Sequence, residues 1–198
     1  MKLYMTEMSG NSFKIRVLAS MLGVDYENIR IEWEKNAHKS DDFLALNPRG
    51  QVPVMEIEDK VFWDSTAHLV YIARTYGGDT WLPTNPLQMA EIMQWMSFAQ
   101  NEVQFGLQWA RGVTVYNRRP ESFEGYLQDG KLALEVLERQ LNKSGHWLAL
   151  GHATLADIAC YPYVKRAPEG DLPLDDYPAI RAWLKRCEAL PGWIEMDP

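Results

Sequence analysis

Residues 77–86, Gly-Gly-Asp-Thr-Trp-Leu-Pro-Thr-Asn-Pro, constrain this chain more than any other stretch. Glycine and proline punctuate the backbone, and no regular helix or central strand is expected to run through such a cluster. The hydrophobic pattern also changes across it. Before it, short apolar runs alternate with one-face helical spacings. After it, every pattern is helical. The division predicts an α/β domain over residues 1–77, a linker over 78–86 and an all-helical domain over 87–198. A chain of 198 residues is long enough for both to bury cores without disulfide staples.

The first part reads as strand, helix, strand, short helix, hairpin, helix. Met1 to Met5 is a short strand. Phe13, Val17, Leu18, Met21 and Leu22 fall at helical spacing, and Gly23 is a helix stop. Tyr26 to Trp33 reads as a second strand, with Ile29 and Ile31 on one face. Residues 41–46 give one or two helical turns, closed by Asn47-Pro48-Arg49-Gly50. Val52 to Ile57 and Lys60 to Trp63 flank Glu58-Asp59 as a hairpin. Asp64-Ser65 then caps a helix over 66–76. Beyond the linker, Ile92, Met96, Ala99, Val103 and Leu107 step by three and four. So do Phe123, Tyr126, Gly130, Leu134, Leu137 and Leu141, and again Ile180, Trp183, Leu184 and Cys187.

Composition excludes several classes. The net charge of −7 repels phosphate backbones, so a nucleic-acid partner is not expected. No apolar run approaches the ~20 residues of a membrane helix, and no apolar segment follows Lys2, so neither a membrane anchor nor a signal peptide is expected. Cys160 and Cys187 form no framework and read as thiols in a reducing, cytoplasmic setting. His38, His68, His146 and His152 show no ligand spacing, so no metal is expected.

Four constellations can carry chemistry. Ser9-Gly10-Asn11-Ser12 sits where a strand runs into a helix, the slot that holds C-x-x-C in redox folds of the thioredoxin type. Two hydroxyls occupy it here; either can simply cap the helix, and Asn11 can be a turn residue. In Gln51-Val52-Pro53, a cis proline would turn the Val52 backbone toward a bound peptide, whereas a trans proline would only open a strand. Asp64-Ser65 is an N-cap that can also hold an α-amino-acid head group, with Asp64 on the ammonium and Ser65 with the helix N–H groups on the carboxylate. His38-Lys39 either faces solvent or pairs with a second ligand carboxylate. Arg111, Arg118 and Arg119 form the densest basic run, either a solvated loop or part of a substrate rim. Thr154 and Asp157 read as a structural capping box.

Taken together, N-P-R-G-Q-V-P at 47–53, W-D-S-T-A-H at 63–68 and T-L-A-D-I-A at 154–159 resemble the cytosolic glutathione transferases. Met8-Ser9-x-Asn11-x-x-Lys14 is similar to the serine-type stretch of the phi class and to the Thr-x-Asn of the nu class. The resemblance implies a thioredoxin-like N-terminal domain, an all-α C-terminal domain, a homodimer and glutathione as co-substrate. It implies a cis bond before Pro53, Val52 on the glutathione cysteine, Asp64 and Ser65 on the γ-glutamyl head, and Gln51 with Lys39 or His38 at the glycine end. It assigns the sulfur to Ser9 first, Asn11 second and Ser12 third. A pocket for an apolar electrophile is expected between the loop of Met8 and the long helix near Gln104, Trp109 and Arg111.

Three activities fit that resemblance: conjugation of glutathione to an apolar electrophile, glutathione-dependent peroxide or disulfide reduction, and a non-catalytic binding or regulatory module. The Ser-Ser-Cys of the zeta-class isomerases is absent, because Met8 precedes Ser9.

Overall fold

The structure is a computed structural model and describes residues 1–197. The chain divides into two compact units. The first is Met1–Gly78 together with the C-terminal segment that begins at Pro191; the second is Asp79–Leu190.

The first unit is built on a four-stranded sheet of order β2-β1-β3-β4. Strand β1 (Lys2–Met5) leads into helix α1 (Gly10–Met21), which crosses over to β2 (Glu27–Arg30), parallel to β1. A short helix, α2 (Asp41–Leu46), precedes the hairpin of β3 (Val54–Ile57) and β4 (Lys60–Trp63), whose β3 runs antiparallel to β1. Helix α3 (Ser65–Tyr76) closes the unit. Leu3, Phe13, Ile15, Leu18, Met55, Leu69 and Ile72 are buried between sheet and helices. Each such side chain contributes about 1.5–3 kcal/mol of transfer free energy. This is the thioredoxin-like arrangement implied by the resemblance.

Two local expectations change. The second strand ends at Arg30, and Trp33 lies in a 3-10 turn, Trp33–Lys35, whose carboxy-terminal neighbour Asn36 is left-handed (φ 58°). An edge strand with largely exposed side chains gains little from continuing. Within the breaker cluster, Gly78–Trp81 winds a single helical turn, α4.

The second unit is helical: α5 (Pro86–Phe98), a π-helical segment Ala99–Gln108, α6 (Trp109–Tyr116), α7 (Phe123–Ser144), α8 (Leu155–Lys165) and α9 (Pro178–Glu188). Asn85 caps α5 by accepting from the N–H groups of Leu87 and Gln88. Ile92, Met96, Val103, Leu107, Leu134, Leu137, Ile180 and Trp183 are buried, as their spacing predicts. The π segment meets α7 at Gly106 and Gly130, where a Cβ on Gly106 would lie 2.5 Å from Gly130 Cα.

Thr154 and Asp157 form the expected capping box at the start of α8. Asp157 also accepts from Leu148 N–H at 3.1 Å and from Trp183 Nε1 at 2.9 Å, tying α8 to α9 and to the preceding loop.

The helical unit does not run to residue 198. From Pro191 the chain returns to the first unit: Ser20 Oγ donates to the Gly192 carbonyl at 2.8 Å, Trp193 packs edge-on against Phe13, and Asp197 pairs with Arg16. Gly192 has φ 75° and lies against the Met21 backbone, where a Cβ would meet Met21 Cα at 2.9 Å.

Candidate functional site

The candidate site is assembled in the first unit from three segments that hydrogen bonds connect. The first is the start of α1. Ser9 is its N-cap, with Oγ accepting from Ser12 N–H at 3.1 Å. Accepting leaves the Ser9 hydroxyl proton available to donate elsewhere, so capping and ligand contact coexist in one half-buried side chain. Ser12 is wholly buried, and its Oγ has no hydrogen-bond partner, so it faces the interior. Asn11 is half-buried. Its Oδ1 accepts from Lys14 Nζ at 2.8 Å and from Ser65 Oγ at 3.4 Å.

The second segment is the Asn47–Gly50 turn and the residues after it. Buried Asn47 accepts from Arg49 N–H at 3.0 Å and donates to the Gln51 carbonyl at 2.7 Å, and Gly50 N–H returns to the Asn47 carbonyl at 2.8 Å. Gly50 has φ 58°, and a Cβ there would lie 2.6 Å from Lys39 Nζ. The turn therefore needs glycine both for its backbone and for space. The Val52–Pro53 peptide is cis. Val52 packs its side chain on the cluster of Ile31, Phe43 and Val54. Lys39 Nζ reaches the Gly50 carbonyl at 3.3 Å, which brings it beside Gln51. His38 goes elsewhere: it is buried and stacked on Trp33, with ring centroids 3.6 Å apart. It does not form the solvent-facing cation pair with Lys39 that the sequence allows.

The third segment is the start of α3. Asp64 is its N-cap, at φ 87°, a conformation non-glycine residues rarely adopt. Oδ1 accepts from Thr66 N–H at 2.9 Å and Oδ2 from Arg49 Nη1 at 3.1 Å. Burial alone would raise the Asp64 carboxyl, but the Thr66 N–H and the Arg49 guanidinium outweigh it and hold it below its ordinary value. Asp64 is thus an anion at the mouth of a helix. Ser65 is buried beside it. The Ser65–Asn11 bond sets the starts of α1 and α3 side by side, and the Arg49–Asp64 pair joins α3 to the N-P-R-G turn. Arg49 also lies over the exposed Trp63 ring at 5.5 Å.

Lys14 stands in the Ser9-x-Asn11-x-x-Lys14 stretch and Arg49 in the N-P-R-G run, but the motifs give no role to either side chain. Lys14 follows Asn11 at the i, i+3 spacing that brings helical side chains together; its burial carries no local signal. Arg49 pairs with a residue fifteen positions away.

Tyr4 takes no part in the site. Its hydroxyl donates to Glu56 at 2.8 Å, and that bond, with burial, raises its pKa. Met8 is exposed in the first unit. Gln104, Trp109 and Arg111 belong to the second. Gln104 is half-buried in the π segment. Trp109 stacks on Tyr126 at 5.9 Å and lies under Arg119 at 5.0 Å. Arg111 is buried and ion-paired with Glu169, so its charge is committed within the helical unit. Arg118 lies over Tyr116 at 5.0 Å. Among the described residues, no group of three or more His, Cys, Asp or Glu side chains is placed to hold a metal ion, and no helix is long and apolar enough to cross a membrane.

A mixed four-stranded sheet followed by a helical unit, with Asp64-Ser65 heading a helix beside a cis proline, defines a glutathione transferase fold. The N-terminal domain of the glutathione S-transferases matches residues 1–74, and their C-terminal domain matches residues 119–191. The crystal structure of a glutathione S-transferase from Pseudomonas fluorescens is 33% identical, covers 100% of this chain and 98% of its own, and superposes with a TM-score of 0.92. A glutathione transferase of Phanerochaete chrysosporium, solved in complex with oxidized glutathione, is 27% identical over 96% of this chain and 91% of its own, with a TM-score of 0.84. The maleylacetoacetate isomerase of Rhizobium meliloti is 25% identical over 96% of this chain and 92% of its own. The chain belongs to the glutathione S-transferase family.

Proposed function

We propose that this protein binds glutathione in its first unit and activates the thiol for attack on a small apolar electrophile. The observation that carries the proposal is the juxtaposition of the two helix starts through Ser65 and Asn11, with Val52-Pro53 on the same unit. In this reading Asp64 takes the γ-glutamyl ammonium, and Ser65 with the α3 N–H groups takes its carboxylate. The Val52 backbone pairs with the cysteine residue, and Gln51 with Lys39 meets the glycine end. Ser9, its lone pair on Ser12 N–H and its proton outward, donates to the sulfur. Met8, Gln104 and Trp109 are the residues assigned to the electrophile, and Arg111, paired with Glu169, is a framework residue of the helical unit.

A free thiol with a pKa of roughly 8.5 is only ~3% thiolate at pH 7. Lowering that pKa by about two units corresponds to ~2.7 kcal/mol and makes most of it thiolate. Nucleophilicity falls with basicity, with a slope of ~0.4–0.5, so activation alone gains only a few-fold. Most of the acceleration must come from holding the electrophile beside the sulfur.

One observation favours a second reading, reduction of peroxides or disulfides on the same site. Asn11 has its oxygen engaged by Lys14 and Ser65, so its amide N–H groups are the ones left to meet a sulfur. Turnover of a chlorinated arene against an organic hydroperoxide separates the two. Isomerisation of the kind named for the Rhizobium relative is less favoured, because Met8 stands before Ser9 where that class carries a second serine. A non-catalytic module is the outcome if glutathione binds without any change in its thiol.

The protein is further proposed to work as a homodimer through α3 and the helix of residues 87–111, where Tyr76, Leu87, Met93 and Phe105 are exposed. Two buried free thiols support a reducing, cytoplasmic location. The deciding experiment is ultraviolet titration of glutathione thiolate with and without saturating protein. A bound thiol titrating clearly below the free one supports activation; no displacement removes it.

A further inference from the structure

Lys14 is the anomaly of the first unit. It is 1% exposed, at a helix position otherwise flanked by Phe13 and Ile15 of the core. Burying an ammonium is costly unless it is hydrogen-bonded, and few lysines are found so deep. One partner of Lys14 is Asn11 Oδ1, 2.8 Å away and one helical turn back toward the helix start. A lysine ammonium is a donor only, so the face of the amide turned toward it must be the oxygen. Ser65 Oγ donates to that same oxygen. Asn11 therefore cannot flip without losing the Lys14 bond, since the Ser65 hydroxyl can serve either face of the amide but the ammonium only the oxygen, and Nδ2 is held on the opposite side as a two-proton donor. Asn11 lies two residues after Ser9, in the first turn of α1, where helix N–H groups add positive potential.

Two charged groups of the neighbouring segments are Asp64, at the start of α3, and Arg49, from the preceding turn. They pair with each other at 3.1 Å. The positive charge bonded to Asn11 is that of Lys14.

Building on the glutathione reading above, we infer that Lys14 is a positioning residue for the thiol. It locks the Asn11 amide with Nδ2 toward the glutathione sulfur and lends that donor a buried positive charge, so that Asn11 joins Ser9 in stabilising the thiolate. Lys14 does not touch the ligand; it acts through Asn11. The arrangement makes the sulfur site a pair of donors of different kinds: a hydroxyl fixed by a helix cap and an amide fixed by a buried cation.

The test is the thiol titration repeated on Lys14→Met, Asn11→Ala and Asn11→Asp, alongside affinity for S-methylglutathione, which has no ionisable thiol. Lys14→Met keeps the side-chain length and removes the donor and the charge. It is expected to raise the bound thiol pKa by about one unit, a tenfold loss of thiolate where thiol predominates, while S-methylglutathione affinity stays within about twofold. General damage to the site would weaken the thioether as well. Asn11 is half-buried, so its variants report even if Lys14→Met does not fold. Asn11→Ala is expected to match Lys14→Met, and Asn11→Asp, which sets an acceptor and a negative charge at the sulfur, to raise the pKa further. A wild-type thiol shift that survives both Asn11 substitutions, or a folded Lys14→Met titrating like wild type, overturns the inference and leaves the glutathione site standing. A wild-type protein that causes no shift removes both.

Discussion

Arg49 Nη1 donates to Asp64 Oδ2 at 3.1 Å while Thr66 N–H donates to Oδ1 at 2.9 Å, so one carboxylate closes the N-P-R-G turn onto the head of α3. Both oxygens are occupied, and the group stays ionised. That arrangement suits a residue that must meet an ammonium. Asp64→Asn keeps an oxygen for the cap and loses the charge. Glutathione affinity is expected to fall by tenfold or more, in line with the roughly 1.5–3 kcal/mol of a charged hydrogen bond. Calorimetric titration reads it, and an unchanged Kd would remove Asp64 from the binding site.

Ser9→Ala removes a helix cap and a candidate sulfur donor together. Stability should drop by about 1 kcal/mol, and turnover by at least tenfold. Denaturant melts and steady-state rates separate the two effects. Full turnover with the expected loss of stability would leave Ser9 as a cap alone and pass the sulfur to Asn11.

Asp157 has no solvent exposure and accepts from Thr154 N–H, Leu148 N–H and Trp183 Nε1. Asp157→Ala strands three buried donors at once. The expected cost is about 3 kcal/mol, seen as a fall of roughly 10 °C in Tm, with glutathione affinity of the folded fraction unchanged. A Tm within a degree or two of wild type would contradict the role given to this carboxylate.

Gly106 faces backbone rather than a pliable side chain: a Cβ would meet Gly130 N and Cα at 2.5 Å. Gly106→Ala must push the π segment away from α7. Overpacking of this kind costs about 3 kcal/mol, against a gain of under 1 kcal/mol from helix propensity. Gly125 on α7 has open space at the same test position, so Gly125→Ala should be neutral or mildly stabilising. Equal melting temperatures for the two variants would argue against the close approach.

His68 is fully buried, with Nε2 2.9 Å from the Phe62 carbonyl, which places the ring proton on Nε2. Burial pushes its pKa below the ordinary value. Above pH ~6.5 the ring is neutral in both folded and unfolded chains and adds no pH dependence. Below that, the unfolded chain binds the proton first, so stability declines with falling pH until the folded pKa is reached. His68→Leu removes this contribution. The stability gap between wild type and variant should therefore shift by up to about 1 kcal/mol in favour of the variant between pH 7.5 and 5.5. Urea unfolding at the two pH values measures it, and a constant gap would mean the imidazole titrates normally.

Much of the architecture is local in origin and was readable as such. The helical spacings ending in Leu107, Leu141 and Cys187 give buried faces, because a 3.6-residue period fixes which side chains share a stripe. Ser9, Asp64, Asn85 and Thr154 all cap the helices that follow them, since a cap needs only a side-chain oxygen within three residues of free N–H groups. Alternation continues to Trp33 while pairing stops earlier: the ladder with β1 ends at Met5 and Arg30. The return of the chain at Pro191 had no local mark, because it depends on Ser20, Phe13 and Arg16 some 170 or more positions earlier.

The change from α/β to helical, the caps, the N-P-R-G turn and the set of polar residues from which the site is drawn are all written locally in the chain. These follow from backbone propensities and side-chain periods acting over a few residues. How that set is divided depends on the folded chain. Folding stacks His38 on Trp33, turns Ser12 inward, gives Arg111 to Glu169 and Arg49 to Asp64, and buries Lys14 against Asn11. The reason is physical: desolvation makes a polar or charged group costly to bury without a partner, and whether a group is buried, and what it then meets, is set by segments that only the folded chain brings together.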